Sequence, residues 1–229
     1  LRSLVGSEMC IRDRLEQQVM RMLGDPKSAS LVTNFASQWL HLRNLDSITP
    51  DLRLFPDFDE NLRRAFRRET ELFFESILRE DRSVLELLKT DYTFLNERLA
   101  KHYGINGVTG KAWQRVDGMQ AKGRGGVLGL STVLAINSGA SRTSPILRGN
   151  WVYETLLGEK LPRPPADVPQ LPESVPSGLT ARQLIEKHSS VPECAKCHER
   201  IDPYGFALEQ FDSIGRQRPD AVDTRTKLA

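Results

Sequence analysis

The sequence has no apolar run approaching the ~18–20 residues that a membrane-spanning helix needs. Its 229 residues have a mean hydropathy of -0.41, with 39% hydrophobic and 27% charged, so it reads as a soluble, mostly globular chain. An excess of one charge sign is also missing. Lys and Arg total 32 against 30 for Asp and Glu, a net of +2, which gives no electrostatic reason to expect nucleic acid or an anionic membrane as partner. Three cysteines are too few for a disulfide scaffold. No Gly-rich phosphate loop follows a strand pattern, the GRGG run at 123–126 being too short for one. The absence of an internal repeat removes solenoids. What remains is a length that suits one large domain or two modest ones.

Residues 4–14, LVGSEMCIRDR, resemble translated read-through of a sequencing adapter. On that reading residues 1–14 are an artefact and Met9 and Cys10 are foreign. The alternatives are an ordinary N-terminal helix turn and a fragment of a signal peptide, of which the second fails because Glu8, Arg12 and Asp13 interrupt any apolar stretch.

Beyond this point helical spacing dominates, and the expected fold class is all-α. Leu15, Val19, Met22 and Leu23 form one stripe, stopped by Gly24. Leu31, Val32, Phe35, Trp39 and Leu42 form the next, with Asp25 as N-cap and Pro26 at the first helical position. The clearest helix spans 59–79, with Leu62, Phe66, Phe73 and Ile77 inward and the pairs Arg67–Glu71 and Glu75–Arg79 outside. Ser83 and Glu86 form a capping box, and a helix over 95–102 stops at Gly104. Only 113–116 alternates like a strand. An apolar helix is expected over 127–136, and another from Ser144-Pro145 to Leu157, closed by Gly158. Thr180 and Gln183 restart a helix toward His188. Five glycines at 118–129 and six prolines at 161–176 mark candidate boundaries. Prolines cannot continue a helix or a central strand, so 161–176 is expected to be an extended strap.

One constellation has a spacing that chemistry demands: Cys194-Ala195-Lys196-Cys197-His198. Residues three apart share a helix face, so both sulfurs can form thioethers to the vinyl groups of one haem while His198 meets the iron as proximal ligand. A zinc half-site, a redox dithiol and a plain disulfide compete with this reading. Zinc wants a second Cys/His pair, where the chain offers only His188, distant histidines and Cys10. A redox dithiol wants a strand-to-helix context, whereas Val191-Pro192 follows an expected helix. His188, six residues before Cys194, is a candidate distal ligand or a helix-end residue, and Met119 is a remote alternative. Asp202-Pro203 and Gly205 are expected to end the motif's helix, and Phe206, Leu208 and Phe211 to cover a haem face or serve as ordinary core. Arg216 and Arg218 are either propionate partners or a solvated charged tail.

The run 188–218, HSSVPECAKCHERIDPYGFALEQFDSIGRQR, resembles the haem-motif domain of large surface proteins abundant in planctomycete genomes. The likeness extends through RTSPILRGNWVYETLLG (142–158) and through FASQWLHLRNL, FPDFDENLRRAFRRET and DYTFLNERLAKHYGI, between residues 35 and 105. Both modules are domains of unknown function. The resemblance implies a helical domain over 15–121, a haem-motif domain over 122–219, and the start of a truncated downstream module at 220–229. It also implies that the chain is an internal fragment of a longer protein. The expected cofactor is a covalent haem c on Cys194, Cys197 and His198, with a cytochrome c-like segment near the C-terminus. The expected function is an electron-transfer or redox module at the periplasm or cell surface, working with a redox partner or with neighbouring domains of the whole protein. The alternative is a scaffold or carbohydrate-associated interaction module in which haem is secondary. A peroxidase-like site is disfavoured because no distal acid/base pair is identified.

Other features have structural explanations. Trp39, Trp113 and Trp151 lie on apolar faces and suit core packing. Asp57, Asp59 and Glu60 suit a helix start. His41 and His102 lack partners at ligand spacing. Arg63, Arg64, Arg67 and Arg68, answered by Glu69, Glu71 and Glu75, read as a solvated face.

Overall fold

The computed structural model describes residues 2–162 and 181–218. Among these the chain is mainly helical, with one two-stranded sheet, and no helix is long and apolar enough to cross a membrane. Most of the expected strap, from residue 163 on, lies outside the described residues, as do Thr180 and the expected downstream module at 220–229. Two compact units form, one from Leu1–Asp46 and Glu60–Leu130, the other from Ser47–Asp59 and Ser131–Ala229.

The first unit opens with α1 (Arg2–Gly24). Its last turn is tied down where Ser28 Oγ donates to the Leu23 carbonyl at 2.9 Å, and Asp25 caps the following turn by accepting from Lys27 N–H. The expected apolar stripe forms, but Leu15, Val19 and Met22 on it are exposed. A π-helical turn, Leu31–Ala36, then leads into the short α2 (Ser37–Trp39). That turn corrects the next stripe. Its wider winding rotates the side chains away from a 3.6-residue register, so Val32 and Leu42 are buried while Leu31 and Phe35 are exposed. Phe35 instead stacks on the half-buried Trp39 at 5.9 Å.

α3 (Glu60–Arg79) buries Leu62, Phe66, Phe73 and Ile77 as expected. Of the two expected surface pairs, Glu75–Arg79 forms at 2.7 Å. Arg67 bonds Asp46 at 2.6 Å instead, and Glu71 takes Arg68 at 3.1 Å. Residues 92–95, YTFL, make a strand that the periodicity did not reveal. This β1 (Tyr92–Leu95) precedes α4 (Glu97–Tyr103), which Asn96 caps by accepting from Leu99 N–H and which Gly104 ends at φ 68°. The expected strand is β2 (Gln114–Asp117), antiparallel to β1 with Tyr92 opposite Asp117 and Leu95 opposite Gln114.

The single helix expected over 127–136, which spans the boundary between the two units, does not form. Val127–Gly129 is a 3-10 turn, Leu130 is extended, and α5 covers only Ser131–Ile136. α6 (Pro145–Trp151) starts as expected, with Ser144 Oγ accepting from Leu147 N–H and proline at the first position, and continues as a π turn to Leu156. α7 (Ala181–Ser189) and α8 (Pro192–Ala207) form a helical hairpin. α8 continues through Asp202, Pro203 and Gly205, so the expected stop there is corrected. Proline removes one ladder bond and normally ends a helix, but tertiary packing holds this one. α6 and α8 cross antiparallel at two glycines. A Cβ on Gly149 would overlap the Ile201 carbonyl, and one on Gly205 would overlap the Pro145 carbonyl. Backbone therefore lies on backbone on both sides of the proline.

Arg148, on α6, is 1% exposed. Its guanidinium donates to the carbonyls of Leu208, Phe211 and Asp212 at 2.7, 3.0 and 2.7 Å and meets Glu209 at 3.2 Å. It thereby satisfies the chain that leaves α8, where loop carbonyls would otherwise be buried without donors.

Candidate functional site

α8 begins with Pro192 in its first turn, where proline's missing N–H costs nothing. The next two turns carry the motif. Cys194 and Cys197 are half-buried free thiols one helical turn apart, so both face the same side. His198 is buried, and its Nδ1 lies 2.9 Å from Asp202 Oδ1, one turn further along the same helix. A carboxylate only accepts, so Nδ1 carries the proton and the Nε2 lone pair is left for a metal.

His188, in the last turn of α7, is half-buried, and its ring meets that of His198 edge to face at 5.2 Å between centroids. Burial, and after it the neighbouring His198, hold the His188 imidazolium below its ordinary range, against the pull of Asp202. Rings in contact leave no space for a porphyrin between them. For His188 to serve as a second axial ligand, the α7–α8 hairpin must part by the thickness of a macrocycle. Met119, the remote alternative, is buried in the first unit.

The surrounding residues sort clearly. Leu208 and Phe211 are buried in the core, whereas Phe206 is half-buried with Arg182 stacked over its ring at 4.8 Å. Arg216 bonds Asp212 at 2.8 Å, and Arg218 bonds Thr143 Oγ1 at 3.1 Å. Both guanidiniums are thus engaged by the protein. Among the described residues, no three or more His, Cys, Asp or Glu side chains gather as a donor set for a metal ion.

The residues present fit a c-type haem. Cys194 and Cys197 would hold such a group covalently and the free nitrogen of His198 would bind its iron, so no larger set of protein donors is called for. The antiparallel crossing also sets the end of α6 alongside the motif's turns. The buried Trp151 Nε1–H at the end of α6 has no hydrogen-bond partner among the described residues.

Three buried charged residues were missed in the sequence: Arg124 and two more. One is Arg148. The other is Glu69, assigned to a solvated face but 0% exposed. Thr93 Oγ1 and Tyr103 OH donate to its carboxyl at 2.7 and 2.6 Å. Burial pushes its pKa up to about 7, opposed by those two hydrogen bonds and by Arg124. The signal was available: Glu69 falls three after Phe66 and four before Phe73, on the inward stripe.

Fold and motif together define a mainly helical chain whose second unit presents a thiol–thiol–imidazole set on a helical hairpin. Residues 6–105 match the PSD4 family, described as a protein of unknown function (DUF1592), and residues 124–221 match the PSCyt3 family, likewise a protein of unknown function (DUF1588). These are the planctomycete-type domains that the sequence resembles, in the expected order. The first match begins inside the run read as adapter. No curated protein and no solved structure matches the chain.

Proposed function

We propose that the second unit binds one haem c covalently through Cys194 and Cys197, with His198 Nε2 as proximal ligand, and that the chain is an electron-transfer module of a larger extracytoplasmic protein. The observation carrying this is the donor set on α8: two free thiols on one face and, next to the second, a buried imidazole with Nδ1 already engaged. When bound, the haem supplies reversible one-electron exchange at its iron. The protein anchors, orients and shields that group. Thioether anchoring of this kind is carried out outside the cytoplasm, which assigns the module to the periplasm or cell surface.

A redox titration of the haem-loaded chain, followed by visible absorption, separates this function from a scaffold role. Reversible one-electron behaviour is expected, and a haem that neither reduces nor reoxidises reversibly points to the scaffold. The same spectra decide the second axial ligand. With the α7–α8 hairpin parted to admit the haem, His188 would be the nearest second donor, so His188→Ala should turn a low-spin ferric spectrum high-spin. An unchanged low-spin spectrum removes His188 from the iron.

A further inference from the structure

We infer that Asp202 is the positioning residue of this site: by holding Nδ1–H of His198 it fixes the metal-binding tautomer and biases the iron toward the ferric state. The inference rests on the haem reading. A ligating imidazole usually donates its other N–H, and the acceptor sets ring orientation and basicity. A carboxylate, being charged, polarises that N–H more than a neutral carbonyl would. The ring gains imidazolate character, donates more strongly to iron and favours the higher oxidation state.

What makes Asp202 more than a passing neighbour is how firmly its backbone is held. The residue before a proline is disfavoured in the helical region, yet Asp202 is helical ahead of Pro203. Its flanks explain this. Ile201 O lies against Gly149 and Gly205 lies against Pro145 O, each so close that no Cβ fits. The helix is thus clamped one residue before and three residues after Asp202, and the i,i+4 spacing aims its carboxylate at the His198 ring. Both side chains are buried, at 7% exposure for His198 and 9% for Asp202, so water competes weakly for the bond.

Two measurements test the assignment. The first is long-range proton–nitrogen NMR of His198 in the full chain without haem, which should show the proton on Nδ1 and a bare Nε2. The second is the reduction potential of covalently loaded Asp202→Asn, which keeps the shape and loses the charge. The ferric-over-ferrous preference should fall about tenfold, an upward shift of about 59 mV for a one-electron couple. A proton on Nε2 in the unaltered chain overturns the inference, as does an unchanged potential in a fully loaded Asp202→Asn chain, and either result leaves the haem reading standing. A parent chain that attaches no haem overturns both. Should Asp202→Asn fail to fold, the tautomer in the unaltered chain decides alone.

Discussion

The core of each unit encloses a fully buried ionisable side chain, Glu69 in one and Arg148 in the other, of opposite sign and held by opposite strategies. In the first unit Glu69 is enclosed by hydroxyl donors from β1 and α4, with Arg124 nearby, and burial raises its pKa to about 7. In the second, Arg148 feeds the carbonyls of the chain leaving α8, and burial lowers its pKa only to about 10, with Glu209 holding it up. The first centre changes charge near neutral pH and the second does not. A buried acid can relieve its desolvation cost by taking up a proton, whereas a guanidinium stays charged and depends on acceptors supplied by the fold, which reach both terminal nitrogens of Arg148 but not its Nε.

The largest effect is expected from removing the cation. Arg148→Met leaves several buried carbonyls without a guanidinium donor and removes the cation beside Glu209, which keeps its bond from Thr143, so the second unit should lose about 3–5 kcal/mol. Hydrogen exchange of α6 and α8 amides reads this directly, and unchanged protection there would show that Arg148 is not the unit's organising group. A smaller effect separates the two centres by pH. Between the ordinary 4.5 and about 7, folded Glu69 holds a proton that the unfolded chain has released. The contribution of Glu69 to the stability of the first unit should therefore be greatest below pH 4.5, fall as pH rises to about 7 and then level off, by roughly 3 kcal/mol at about 1.4 kcal/mol per pK unit. Exchange of α3 and α4 amides across this range measures the slope, which Glu69→Gln should abolish. Arg148 should add no slope below about pH 10. The smallest effect concerns residues 1–14. Ile11 and Leu15 are exposed, so deleting 1–14 should leave thermal stability within about 0.5 kcal/mol of the full chain. A clear loss would show that the run read as adapter packs on the first unit.

What could be read in the sequence was set by local chemistry. The helix over 59–79, the stop at Gly104 and the start at Ser144-Pro145 each follow from side chains within a turn of the boundary. So does the Cys194–Cys197–His198 set, whose spacing places it on one helix without knowledge of anything else. The residues that escaped are those whose roles are fixed by distant chain. Arg148 bonds carbonyls about sixty positions away. β1 is a strand only because β2 pairs with it across some twenty residues. α8 runs through Pro203 because α6 clamps it at two glycines, and the Phe35 stripe failed because a π turn changed the period. His198's partnership with Asp202 lay in an i,i+4 spacing open to inspection, but Asp202-Pro203 looked like a helix end, and a helix ending there would not have formed it.

The most direct test is the mass of the intact chain after production alongside c-type cytochrome maturation machinery. The chain should gain the mass of one haem that survives acid-acetone extraction, and Cys194→Ala with Cys197→Ala should lose it entirely. Haem retained covalently by the double variant, or stoichiometric zinc with no haem in the parent, would contradict the account.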